Sequence, residues 1–120
     1  MKTIALIAHD GKKTDILQFV NDNKLKLAKY KLVGTKTTGT LIKEKVGLNV
    51  KCYLSGPKGG DAQIASLVAE RKVDAVIFLT DPLNAHPHDP DIRTLMRVCN
   101  VHNVPLATNL ATAALVIKGL

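Results

Sequence analysis

The sequence predicts a single α/β domain over residues 1–120, three layers deep (α/β/α), with a parallel sheet of about five strands between the helices. Three observations carry that reading. Short aliphatic runs alternate with helical stretches along the whole chain, the pattern of strand, crossover helix and parallel strand. Of the residues, 46% are hydrophobic but only 3% aromatic, with no Trp, so Val, Ile, Leu and Ala must fill the core, as they do in strands covered on both faces. A chain of 120 residues without repeat, low-complexity tract or linker suits one core.

Ile4 to Ala8 reads as the first strand. Thr14 to Asn23 follows as a helix with Ile16, Leu17 and Val20 on one face, and Lys31 to Gly34 is a short second strand. Thr37 to Lys45 reads as helical with Leu41 and Ile42 inward, ending near Gly47. Val50 to Leu54 is a third strand. Asp61 to Arg71 is a helix, because Ile64, Ala65, Leu67 and Val68 keep the 3.6-residue period. Ala75 to Leu79 is a fourth strand, Asp91 to Asn100 a helix, Pro105 to Ala107 the last strand and Ala111 to Ile117 a closing helix.

Seventeen Lys and Arg against ten Asp and Glu leave a formal charge of +7, which makes an anion the natural partner. Fourteen of the seventeen are Lys, whereas Arg usually supplies bidentate recognition of bases, so a small anion is favoured over sequence-specific DNA. With two Tyr and two Phe there is no stacking platform for single strands, and no nucleic-acid partner is expected. Lys24, Lys26, Lys29 and Lys31 read as a solvated surface. Cys52 and Cys99 form no C-x-x-C pair and are expected as buried, reduced thiols. The N-terminal apolar run is too short for a signal sequence, and no segment approaches the ~18 apolar residues of a membrane span. A cytoplasmic protein without membrane contact is expected.

In an open α/β sheet, ligands sit at the carboxyl ends of the strands, near the point where strand order reverses. Nearly all the chemically capable residues fall on that edge: His9-Asp10, Gly34 to Gly39, Ser55 to Asp61 and Asp81 to Asp91. Gly34 to Gly39 offers three Thr hydroxyls and backbone amides at a helix start, either an anion site or simply helix caps. No Walker pattern occurs there or around Gly11-Lys12-Lys13, so nucleoside triphosphate binding is not supported. Lys13 beside such a loop suits phosphate recognition. In Ser55 to Asp61, three glycines let the backbone approach a ligand, and Asp61 is either an N-cap or a general base at the rim of the site. Asp81 to Asp91 packs acids and two imidazoles densely for a mere connection. No metal is expected, because His86-Pro87-His88 matches no ligand set: H-x-H-x-D-H would need Asp and His where Pro90 and Asp91 stand. His102 reads as a surface or helix C-terminal residue.

Several segments in order, namely Ile4 to Asp10, Thr37-Thr38-Gly39, Leu54 to Asp61, Asp81-Pro82-Leu83-Asn84, His88-Asp89-Pro90-Asp91 and Ala107-Thr108-Asn109, resemble the methylglyoxal synthase family. The resemblance runs over essentially the whole chain. It implies a Rossmann-type parallel α/β fold, shared with domains of carbamoyl-phosphate synthetase and inosine monophosphate cyclohydrolase. It also implies cofactor-free conversion of dihydroxyacetone phosphate (glycerone phosphate) into methylglyoxal and inorganic phosphate. Asp61 matches the family's catalytic base, which forms an enediolate. His88 matches a residue contacting the substrate oxygens, and Asp91 a second acid nearby. His9, Lys13, Thr35, Thr37, Thr38, Ser55 and Gly56 match substrate and phosphate contacts, Lys36 falls inside the same loop, and Asp10 and Asp81 match supporting acids. The implied assembly is a homo-oligomer, a hexamer. The forming oxyanion needs preorganised donors, which the Gly56 amide and His88 would supply. In two respects the chain departs from the family. Lys36 stands where members can have Gly, and the chain stops at Leu120, where many members continue with a tail whose basic residue reaches a neighbouring site. The rival expectation is a sensing domain of the same fold that binds a phosphorylated metabolite and turns nothing over.

Overall fold

The computed structural model describes residues 1–84, 86 and 89–120. The aliphatic runs form one parallel sheet of β1 (Thr3–Ala8), β2 (Lys31–Gly34), β3 (Val50–Cys52), β4 (Ala75–Leu79) and β5 (Leu106–Ala107), in the order β3-β2-β1-β4-β5. Between them run α1 (Lys13–Asp22), α2 (Lys24–Leu27), α3 (Lys36–Lys45), α4 (Gly60–Ala69) and α5 (Asp89–Val101), with tight 3-10 turns at Asp10–Lys12 and Gly56–Lys58, and α6 (Leu110–Gly119) follows β5.

The period-two geometry of a strand explains how the sheet sorts its side chains. From β1, Ile4, Leu6 and Ala8 join Ile16, Phe19 and Val20 of α1, Ile42 of α3 and Ala113 and Ile117 of α6. Ala5 and Ile7 point the other way, to Ile64, Ala65 and Val68 of α4 and Ile92, Leu95 and Cys99 of α5. The central strands β1 and β4 pair over five residues, from Ile4 opposite Ala75 to Ala8 opposite Leu79. Strand order reverses between them, which opens a crevice beyond their carboxyl ends.

Several boundaries differ from the sequence expectation, each for a local reason. The lysine-rich stretch forms a helical turn, α2, because Leu27 is fully buried while Lys24 stays exposed. The third strand stops at Cys52: the Tyr53 amide still donates to the Gly34 carbonyl at 2.8 Å, but the Leu54 amide turns to Gln63 Oε1 at 2.8 Å. Helix α4 ends at Ala69, short of Arg71, which takes a left-handed φ of 60°. Helix α5 starts two residues early, with Pro90 in its first turn, where a missing amide hydrogen costs nothing. Pro105 leads into β5 and contributes its carbonyl to the Val76 amide at 2.9 Å. Helix α6 begins at Leu110 because Asn109 Oδ1 caps the Thr112 amide at 2.9 Å. Leu41 is half-buried rather than inward, and Cys52 is half-buried where a buried thiol was expected; Cys99 is buried. Among the described residues no helix is long and apolar enough to cross a membrane.

Candidate active site

The chain leaves β3, makes the 3-10 turn and enters α4 through two glycines that no other residue can replace without strain. Gly59 takes a left-handed φ of 103°, and a Cβ on Gly60 would lie 1.9 Å from the Leu54 carbonyl oxygen. The Gly60 amide donates to the Ser55 carbonyl at 2.9 Å and locks the turn. Gly59 is therefore the N-cap and Asp61 the second residue of α4, with 0% exposure. This corrects two expectations: Asp61 is not the cap, and its carboxylate lies at the floor of the crevice rather than the rim.

Lys13 opens α1 directly behind β1. Its ammonium donates to the Ala8 carbonyl and lies 3.7 Å from Asp10 Oδ1, itself fully solvated. Burial pushes the Lys13 pKa below 10.5, partly offset by the negative charges of Asp10 and Asp61. Lys13 is thus a desolvated cation within electrostatic reach of the buried carboxylate.

His9 follows β1, its amide bonded to the Leu79 carbonyl at 3.1 Å, and it is 7% exposed. The Asp81 amide donates to His9 Nδ1 at 2.8 Å. That bond needs a lone pair, so the neutral ring carries its proton on Nε2. The His9 ring meets the edge of Phe78 at 5.1 Å and stacks on His86 at 3.6 Å, with 22° between the ring planes. The Asp81 carboxylate accepts from Asn84 Nδ2 at 2.6 Å and the Leu83 amide at 3.1 Å, which holds its pKa below the usual 3.8.

These residues surround a cavity of about 220 Å³. It gathers His9, Asp10, Lys13, Thr35, Thr37, Ser55, Gly56, Asp61 and Asp81, together with Asn84 and His86, which sequence reasoning did not assign to the site. The volume lies below the roughly 300 Å³ at which pockets for drug-sized ligands begin, and so suits a small substrate. A hollow of about 670 Å³, lined by Thr3, Tyr30, Lys31 and Leu48 among others, is larger but holds no carboxylate or imidazole among the described residues.

Three of the expected site residues that the structure describes do not line this cavity. Thr38 is fully buried: its hydroxyl accepts from the Ala8 amide at 3.3 Å and reaches the Ala8 carbonyl at 3.4 Å, tying α3 to β1. Lys36 is exposed and lines an adjoining hollow of about 510 Å³ with Thr37, Ser55 and Lys58. Asp91 is half-buried in the first turn of α5. His88 lies outside the described residues. Thr35, one of the possible caps, is the N-cap of α3 by position, yet its side chain makes no capping bond. Among the described residues no group of three or more His, Cys, Asp or Glu is placed to hold a metal. Asn84 and His86 sit in the loop whose density of acids and imidazoles had already set it apart, and that density was the signal for them.

Residues 15–108 match the family model described as MGS-like domain. A methylglyoxal synthase of Clostridium beijerinckii is 62% identical over 115 residues, spanning 96% of this chain and 97% of that relative. The chain belongs to the methylglyoxal synthase family. A second family member, from Caldicellulosiruptor saccharolyticus, is 57% identical over 117 residues, 98% of this chain and 83% of its own. The crystal structure of methylglyoxal synthase from Elizabethkingia anophelis superposes with a TM-score of 0.92 at 48% identity, covering 98% of this chain and 77% of that one. The family's fold is the five-stranded parallel α/β sheet described above, in agreement with the sequence expectation.

Proposed function

We propose that the chain, as one catalytic domain over residues 1–120, is a carbon–oxygen lyase that converts dihydroxyacetone phosphate into methylglyoxal and inorganic phosphate, with no cofactor. Beside the family relationship, one observation carries this reading: a fully buried carboxylate, Asp61, shares a small crevice with the Lys13 cation and a neutral imidazole, His9. A carboxylate taken out of water is a stronger base than one in solution. Asp61 removes a proton from the hydroxyl-bearing carbon, and the electron pair moves onto the carbonyl oxygen as an enediolate. The His9 Nε2 proton and the Gly56 amide stabilise that oxygen; His88 contacts the substrate oxygens and Asp91 is a second acid nearby, as the resemblance implied. The enediolate then collapses and the carbon–oxygen bond to phosphate breaks with its electron pair. The enol left behind regains a proton at the terminal carbon to give methylglyoxal.

Phosphate leaves as an anion, so cations and donors must wait for it. Lys13, the Thr35 and Thr37 hydroxyls, Ser55 and the first amides of α3 meet that need, a helix N-terminus being a ready anion site. Lys36 adds positive charge at the mouth, and Asp10 and Asp81 orient Lys13 and the His9 loop. Met96 and Val101 on α5, with Leu110 and Leu115 on α6, leave apolar surface exposed, which supports association of identical chains into a homo-oligomer such as a hexamer. The proposed location is the cytoplasm.

The test is methylglyoxal and phosphate release from dihydroxyacetone phosphate by purified protein. Asp61→Asn should lower kcat by about 10²- to 10⁴-fold, the usual contribution of a general base. A variant with full activity would remove Asp61 as the base. A protein that binds phosphate but releases no methylglyoxal would be the sensing domain instead.

A further inference from the structure

We propose that Lys36 and Lys58 form a station for the phosphate dianion just outside the crevice, which captures the substrate's phosphate on entry and holds the free phosphate on exit. The inference deepens the function proposed above and rests on it. It starts from a shortage of positive charge inside the crevice. Among the described residues lining it, Lys13 is the only lysine or arginine, and it shares the space with Asp10, Asp61 and Asp81. That one ammonium already donates to the Ala8 carbonyl, lies 3.7 Å from Asp10 Oδ1 and is within electrostatic reach of Asp61. A phosphate monoester brings close to two negative charges at neutral pH. Lys13 alone does not balance them, so further attraction has to come from beside the crevice.

The adjoining hollow of about 510 Å³ supplies it. Thr37 and Ser55 line both spaces and form the sill between them, and Lys36 and Lys58 line the hollow with no carboxylate among its described residues. Neither lysine forms an ion pair among the described residues, in contrast to Lys12, Lys13 and Lys72. Both are anchored at the sill by their own backbones. The Lys36 amide donates to the Leu54 carbonyl at 3.4 Å, and the Lys58 amide to the Ser55 carbonyl at 3.0 Å. Lys36 opens α3, whereas Lys58 ends the 3-10 turn that leads into α4, so the two cations approach the hollow from different elements. An arriving dianion therefore meets two ammonium groups that need not give up a carboxylate to receive it, with hydroxyls on the inner side to take the next hydrogen bonds.

The experiment measures steady-state turnover of dihydroxyacetone phosphate, and binding of inorganic phosphate by calorimetry, in the wild type and three double variants. These are Lys36→Met/Lys58→Met, Lys36→Arg/Lys58→Arg and Lys43→Met/Lys45→Met. The last removes the same charge from the far end of α3, where neither residue lines the crevice or the hollow. All these lysines are exposed, and melting curves show that each variant is folded. Lys36→Met/Lys58→Met should raise KM about tenfold with kcat within about twofold, because attraction felt equally by bound substrate and transition state acts on KM alone. Phosphate binding should weaken by about the same factor. Lys36→Arg/Lys58→Arg and Lys43→Met/Lys45→Met should both stay within about threefold of wild type, since the first keeps the charge and the second removes it about a Debye length or more away. Between about 0.01 M and 0.15 M ionic strength, where the Debye length falls from about 30 Å to 8 Å, wild-type KM should climb more steeply than that of Lys36→Met/Lys58→Met. The proposal is overturned if Lys36→Met/Lys58→Met keeps the wild-type KM or only matches Lys43→Met/Lys45→Met, or if the Arg variant loses as much as the Met variant. If the wild type turns over nothing, the function fails by itself and phosphate binding decides the station: a tenfold loss in Lys36→Met/Lys58→Met upholds it, and unchanged binding refutes it.

Discussion

The steric constraint at Gly60 leads to the sharpest prediction. An added methyl group would begin 1.9 Å from the Leu54 carbonyl oxygen and must retreat by about 1.1 Å to reach 3.0 Å, the shortest approach Cβ atoms tolerate. The obstacle is backbone, held in the turn that closes through Ser55, so the start of α4 has to move instead. Asp61 is the next residue and moves with it. A misplacement of about 1 Å at a reacting group costs on the order of 100-fold in rate. Overpacking of this kind also costs about 1–3 kcal/mol. For a chain of this size that corresponds to a melting temperature lower by roughly 4–12 °C. Gly60→Ala should therefore lose about 100-fold in kcat/KM for methylglyoxal release and melt earlier. Gly59→Ala is the control: its methyl meets nothing within 4 Å among the described residues, and only the left-handed backbone is strained, at about 1–2 kcal/mol. That variant should melt earlier yet keep kcat/KM within about fivefold. If Gly60→Ala melts earlier but retains kcat/KM within about threefold, the start of α4 does not position the base.

Thr38→Val should lower stability by about 1–3 kcal/mol in a denaturant titration, because the buried Ala8 amide loses its acceptor, and Thr38→Ser should recover most of it. Lys13 binds its proton less tightly in the folded protein than in the unfolded chain, which therefore holds more protons between the lowered pKa and 10.5; stability contributed by this group rises with pH across that window. Over the same window the cation needed for phosphate is lost, so KM should climb before pH 10.5, and Lys13→Arg should delay that climb. Cys99 is buried with its thiol pushed up to about 11, whereas Cys52 is half-buried; a thiol reagent at neutral pH should modify Cys52 in the native protein and both cysteines after unfolding.

Periodicity made the strands legible wherever burial is two-sided. Ile4 to Ala8 and Ala75 to Leu79 are continuous aliphatic runs because helices cover both faces of the sheet, and the second matches its strand end to end. Element ends were less legible, since they are set by single bonds that composition does not encode, such as the Leu54 amide turning to Gln63. The same limit applied to the site. Residue types at strand ends pointed to Asp61, Lys13 and His9, but depth depends on packing: only the structure puts Asp61 at the floor and turns the Thr38 hydroxyl inward to Ala8. His86 escaped assignment because its partner in space, His9, is far away in the chain, and adjacency across a sheet leaves no mark in local spacing.

The two hydrophobic layers of the sheet have a mechanical consequence for the crevice. Asp61 rides on α4, whose apolar face packs on one side of the sheet, while Lys13 and Thr37 ride on α1 and α3, packed on the other. The groups that must meet the same substrate are thus anchored in different halves of the core, with only the sheet between them. Turnover then acts as a gauge of whether both halves are seated, and heat inactivation should follow global melting closely rather than precede it as the failure of a single loop would.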